Sequence, residues 1–196
     1  INMTGGTFNM TGGEITDCFT GVYMEKGSTF TMDNGAITNC STGVHIWDDS
    51  RQSKSTTVFT MNGGKIGKVD GTVTRNFEGY AVEVHQMATF RLKGGEISGY
   101  RSTNNTSTGG VDVWEKGILE IYNAPKVYDN YTVYSRYCVV GTRSNYKTLT
   151  YPVASNINLH PGAKLSCFSL KTGAQLGLTL RGWKNGDLAG NPYYLD

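Results

Sequence analysis

Four short triplets carry the chemically active side chains at one spacing: Tyr23-Met24-Glu25, His45-Ile46-Trp47, Glu83-Val84-His85 and Asp112-Val113-Trp114. Side chains alternate between the two faces of an extended strand, so an apolar middle residue that faces a core turns both of its neighbours outward. The outward positions read Tyr23, His45, Glu83, Asp112 in one column and Glu25, Trp47, His85, Trp114 in the next. Exposed tryptophan is uncommon on a sheet surface. An aromatic ring beside carboxylates suits a sugar, because the ring stacks on C–H faces while the carboxylate accepts hydroxyl hydrogens. Tyr23, His45, Trp47, Glu83, His85, Asp112 and Trp114 therefore form the candidate ligand-binding set.

Glu83 and Asp112 support a sharper expectation. Carboxyl groups about 5 Å apart on neighbouring strands match the separation used by retaining glycoside hydrolases. Like-charge repulsion would raise the pKa of each and keep one protonated as an acid. They are the candidate catalytic pair. Two inert alternatives compete: the carboxylates splay apart in solvent, or an inserted loop folds over the face and buries Trp47 and Trp114.

A repeat sets the elements that must carry these residues. GTFNMTGGEITDC at 6–18 returns as STFTMDNGAITNC at 28–40, VFTMNGGKIGKV at 58–69 and TFRLKGGEISGY at 89–100, with a degenerate copy, ILEIYNAPKVYDN, at 118–130. Met10, Met32, Met61, Leu92 and Ile121 hold one position at spacings of 22, 29, 31 and 29 residues. Recurrence at a fixed phase marks a solenoid, whose short unit buries its apolar face only against copies of itself. Each unit has three brief β-type runs: valine-x-apolar, Phe-x-Met, and an Ile or Val after a glycine turn. Three short strands per turn predict a parallel β-helix. An antiparallel meander with tight Gly-Gly turns would explain the glycines. It leaves unexplained the third apolar column, Ile15, Ile37, Ile66, Ile97 and Val127. The outward residues of the other two runs, such as Asn9, Thr31, Thr60, Arg91 and Glu120, read as solvated sheet faces.

Composition agrees. Charged residues are 17%, with 26 glycines and 4 prolines, which suits a β-rich extracellular protein and argues against disorder or a helix bundle. The net charge of +2 is scattered rather than gathered in a stripe, which argues against nucleic acid. No apolar run reaches the length of a membrane span, so no membrane insertion is expected. Ile1 opens directly into a Met-Thr-Gly-Gly unit, which suggests a monomeric piece of a longer, secreted, multidomain parent. The span from Ile1 to Phe8 is too short for a full coil. The four cysteines form no close pair, no phosphate-binding glycine loop or calcium repeat occurs, and neither a metal nor a cofactor is expected. Cys18 and Cys40 share the corner column with Val69, Tyr100 and Asn130, either as stacked thiols or as a disulfide. Cys138 and Cys167 are candidates to pair in the closing segment. The Asn-x-Ser/Thr triplets read as composition and carry no weight.

FNMTGGEITDC and FTMDNGAITNC, followed by TGVYM and TGVHI, resemble the F-T-M-S-G-G-x-I-S-G-N … G-G-V-Y-V rungs of right-handed parallel β-helix repeats on large surface proteins of Gram-positive bacteria. ILEIYNAPKVYDN resembles the last rung of those arrays, and NINLHPGAKLSCFSLKTGAQLGLTL their closing segment. The resemblance covers most of 6–181 and is specific for fold. Such arrays serve adhesion, carbohydrate binding and sometimes glycoside cleavage. Cysteine in place of asparagine at the rung corner and long insertions depart from the pattern.

The expected protein is thus an all-β, right-handed parallel β-helix of about five three-stranded coils with a C-terminal β cap. Rungs span 1–130, a closing coil and cap 131–181, and an edge strand or linker 182–196. The tyrosine-rich stretch 131–155 is expected to cover the open end of the stack. Insertions at 48–57, 67–79 and 98–109 would wall the Tyr23/His45/Glu83/Asp112 face from both margins. The functional expectation is an extracellular binding or adhesion module, on the bacterial surface or secreted, that recognises glycan or a host or neighbouring surface protein. Part of a glycoside hydrolase or polysaccharide lyase, and a passive cell-wall spacer, are the alternatives.

Overall fold

Like pairs with like. The computed structural model describes residues 1–48, 57–67, 79–101, 109–139, 146–180 and 193–194, and their side chains except those of 133–139, 146–152, 180 and 193–194. Every valine-x-apolar, Phe-x-Met and post-glycine run is a strand that pairs in parallel with its counterpart one repeat away. The first sheet contains Asn2–Thr4, Thr20–Glu25, Thr42–Ile46, Tyr80–Val84, Gly109–Val113 and Ile157–Leu159. The second contains Thr7–Met10, Thr29–Met32, Val58–Met61, Thr89–Leu92, Ile118–Asn123 and Lys164–Leu170. The third contains Glu14–Thr16, Ala36–Thr38, Lys65–Gly67, Glu96–Ser98, Lys126–Tyr128 and Gln175–Leu180. The chain is a parallel β-helix, with no helix among the described residues.

The second sheet has six strands, so the five repeat rungs and the closing coil make six turns of the stack. The sixth comes from the closing segment, where Val111, Asp112 and Val113 align with Ile157, Asn158 and Leu159. The first rung begins earlier than Phe8: Asn2–Thr4 pairs with the next rung through Met3 opposite Met24, and Met3 is buried. The last parallel strand, Gln175–Leu180, pairs with Lys126 and Val127 in the third sheet and then with Ile157–Leu159 in the first, so it joins the two sheets, and Tyr193–Tyr194 pairs with it antiparallel.

Columns fill the lumen. Phe8, Phe30, Phe59 and Phe90 stack with centroids 5.0, 4.7 and 4.8 Å apart, close to the spacing of hydrogen-bonded strands. Met10, Met32, Met61, Leu92 and Ile121 lie in register beside them and are buried. Neighbouring coils approach so closely at the turn that a side chain does not fit. A Cβ at Gly64, whose φ is +81°, would lie 2.6 Å from the Gly35 carbonyl oxygen of the rung before it. Opposite charges meet across rungs on the outer faces, as Lys65 with Glu96 at 3.1 Å and Arg91 with Glu120 at 2.9 Å.

The corner column has two solutions. Cys18 and Cys40 are free thiols, whose Sγ atoms donate to the carbonyls of Thr16 and Thr38 at 3.2 and 3.3 Å, and burial pushes the Cys40 thiol up to about 11. Further along, Asn130 is buried and bridges rungs, its amide donating to the carbonyls of Ile97 and Tyr128 while Tyr100 N–H donates to its oxygen. Cys167 is free and exposed; the Cys138 side chain and Val69 lie outside the described residues.

The tyrosine-rich stretch forms a hairpin ahead of the closing coil. Tyr131–Val139 and Tyr146–Ala154 form an antiparallel hairpin that leaves one corner, and Ser155 N–H returns to the Asn130 carbonyl before the rungs resume at Ile157. Phe168 and Leu170 on the last rung remain exposed.

Phe59 sits between two ring neighbours at the middle of the stack, whereas Phe8 has one and is half-buried. Phe59→Ala is expected to destabilise by about 3–5 kcal/mol and Phe8→Ala by less than half of that, as measured by denaturant unfolding.

Candidate functional site

The first sheet orders the candidate residues. Cα register runs from Tyr23 to His45, Glu83, Asp112 and Asn158, one per rung. Two residues further on, the same ladder continues through bonds from Trp47 N–H to the Met24 carbonyl, His85 to Ile46, Trp114 to Val84 and His160 to Val113, at 2.8 to 3.0 Å. These bonds fix the second column as Trp47, His85, Trp114 and His160. The chain has 3 histidines, and all of them are on this face.

Ring planes follow the rung spacing. Tyr23 stacks on His45 at 5.1 Å, and His45 meets His85 at 4.7 Å with a 31° tilt. His85 in turn lies 5.2 Å from Trp47 and 5.4 Å from Trp114, and Trp114 stacks on His160 at 4.3 Å. Trp47 and Trp114 stay 39% and 40% exposed, so neither is buried under a loop. Their presentations differ. Trp114 is flanked by imidazoles nearly parallel to it, at 9° and 10°, and turns its edge to solvent. Trp47 is inclined 44° to His85.

His160 was not among the expected residues. The signal lies in Ile157-Asn158-Leu159-His160, which has the apolar-x-apolar-y pattern of Val111-Asp112-Val113-Trp114 but no Gly-Gly turn ahead of it.

The carboxylates depart from expectation. Glu83 and Asp112 are register neighbours, yet each is engaged by a different histidine. Glu83 Oε2 is 2.8 Å from His45 Nδ1 and 3.9 Å from His85 Nε2. Burial alone would push the Glu83 carboxyl up, but hydrogen bonds and Coulombic attraction from His45 and His85 outweigh it and hold the pKa at about 2. The expected like-charge elevation is therefore reversed at Glu83, which stays ionised and cannot serve as the proton donor of a carboxylic-acid pair. Asp112 was expected to face solvent and is fully buried, both of its oxygens lying 3.1 to 3.2 Å from His160 Nε2. Its neighbour Asn158 is fully buried as well and bonds to Ser155. Asp112 thus orients His160 and is closed to a ligand.

The accessible groups are Tyr23, His45, Trp47, Glu83, His85, Trp114 and His160. Burial and the nearby Glu25 raise the Tyr23 hydroxyl above its ordinary value, so it is a neutral donor at physiological pH. One donor atom from each of His45, Glu83 and His85 lies within 4.8 Å of the other two, a grouping that a metal ion could bridge. At the margin, buried Asp48 accepts from Thr57 N–H at 2.8 Å and ties together the two ends of the first insertion. The parts of the insertions at 49–56, 68–78 and 102–108, expected to wall the face, lie outside the described residues. Comparison with protein-family models, with curated proteins and with solved structures finds no match to this chain.

Glu83 has a folded pKa below its ordinary 4.5, so its stabilising contribution is present above that value and is lost as pH falls toward about 2. The loss is expected to reach on the order of 3 kcal/mol in the wild type and to be absent in Glu83→Gln, as measured by denaturant midpoints across that range.

Proposed function

We propose that this β-helix is an extracellular binding or adhesion module, of a bacterial surface or secreted protein, that recognises glycan on its first sheet. The observation that carries the reading is the exposure of Trp47 and Trp114 on a face whose remaining accessible groups are hydrogen-bonding: Tyr23, His45, Glu83, His85 and His160. A sugar needs an apolar ring surface for its C–H face and fixed polar groups for its hydroxyls. Trp47 supplies the first, Trp114 adds its indole edge, and the ionised Glu83 accepts hydroxyl hydrogens. Stacked rings on parallel strands hold these groups in place without ordering flexible side chains on binding, which removes part of the entropic cost of association.

Glycoside cleavage by Glu83 and Asp112 finds no support in this geometry, because Glu83 is held ionised and Asp112 is sealed from substrate. A passive spacer would be expected to bury its aromatics, and these are open.

A glycan array that includes mucin-type and plant oligosaccharides is the test. Binding is expected, with Trp47→Ala weakening it by about tenfold or more, the loss of one well-placed aromatic contact, and Trp114→Ala by less. Absence of binding to every glycan overturns the reading and favours a protein ligand.

A further inference from the structure

We infer that His45, Glu83 and His85 form a binding site for a divalent late first-row transition ion of the zinc class. The site shares His45, Glu83 and His85 with the glycan face, but it is argued from donor atoms alone and is tested without any sugar, so the two readings can fail separately.

The three residues come from two adjacent rungs. Glu83 and His85 are two apart on Tyr80–Val84 and its continuation, so both project outward, and His45 is the register partner of Glu83 on the neighbouring strand. Side chains at such direct and diagonal positions are within reach of one another across parallel strands. Chain separation is 38 residues between His45 and Glu83, yet their donors are 2.8 Å apart.

Distances agree with a common centre. Tetrahedral zinc holds nitrogen and oxygen ligands at ~2.0–2.2 Å, which places ligand atoms ~3.3–3.5 Å from each other. The Glu83 oxygen lies 2.8 Å from His45 Nδ1 and 3.9 Å from His85 Nε2, values that bracket this separation, and no pair of donors exceeds 4.8 Å. The imidazole planes are packed between neighbouring rings, His45 between Tyr23 and His85, and His85 between Trp47 and Trp114.

Ligand chemistry selects the ion. Two imidazoles and one carboxylate are borderline donors that suit Zn2+, Ni2+ or Cu2+, whereas Ca2+ and Mg2+ want oxygen ligands. Three protein ligands leave one position open, as in metal sites that admit an exogenous ligand. The side chains remain 18–21% exposed, so ion and water can enter from solvent.

The test uses the chain without a polyhistidine tag, stripped with chelator and titrated calorimetrically with ZnCl2. One saturable site is expected, weakened by more than about 100-fold in Glu83→Gln and in His85→Gln, since even removal of a group that only supports a ligand costs 10–100-fold. Glu83→Gln preserves shape, and circular dichroism checks that both variants keep the β fold. Cys167→Ser is expected to bind as the wild type, and the Co2+ complex to lack thiolate charge-transfer absorption. CaCl2 is expected to give no saturable heat. Failure of Zn2+ to saturate a site, retention of binding in both folded variants, or a thiolate band overturns the assignment.

Discussion

Parallel pairing of short strands at one fixed rung spacing is the constraint on which everything else depends. Each rung is too small to have a core of its own, and its Phe, Met, Val and Ile gain burial only from the rungs above and below. Register cannot slip by one residue without turning the Phe and Met columns outward. At the turns each glycine lies against the carbonyl of its counterpart one rung before, as Gly64 does against Gly35, which leaves no room for a side chain there. The same ladder of hydrogen bonds that positions Phe59 in the lumen positions Glu83 on the surface. Site geometry is thus inherited from packing.

That inheritance accounts for the rings on the outer face. A column of outward residues is spaced by the strands themselves, at a distance close to that at which planar groups stack. Tyr23, His45, His85, Trp114 and His160 are each packed against a neighbouring ring, although water reaches them. The arrangement also converts one-dimensional sequence into a two-dimensional array in which chemistry arises between rungs, as in the pairs His45–Glu83 and Asp112–His160.

Much of the fold was legible in the residues. Repetition of the Met10 column, the glycines at its turns and the alternation in Val82-Glu83-Val84 together specify strands, faces and pairing partners, because a solenoid maps linear period onto vertical position. Detail at the two ends was less legible. Asn2–Thr4 is a bare strand of three residues, and the closing coil has Lys171-Thr172-Gly173 where earlier rungs have Gly-Gly after the second strand, with a long hairpin ahead of itself. Within the site, the outward columns were readable and the protonation was not. Whether two neighbouring carboxylates repel each other or are separately satisfied depends on side-chain partners one rung away. The partner of Asp112, His160, lies 48 residues along the chain. Burial of Asp112 has no signature in its triplet, which matches that of Glu83.

Gln175–Leu180 turns the closing coil into a hinge-free seam. Its first two residues belong to the ladder of the third sheet and its last three to that of the first. One short segment therefore passes a displacement of either sheet directly to the other, a coupling that the earlier rungs make only through their corners.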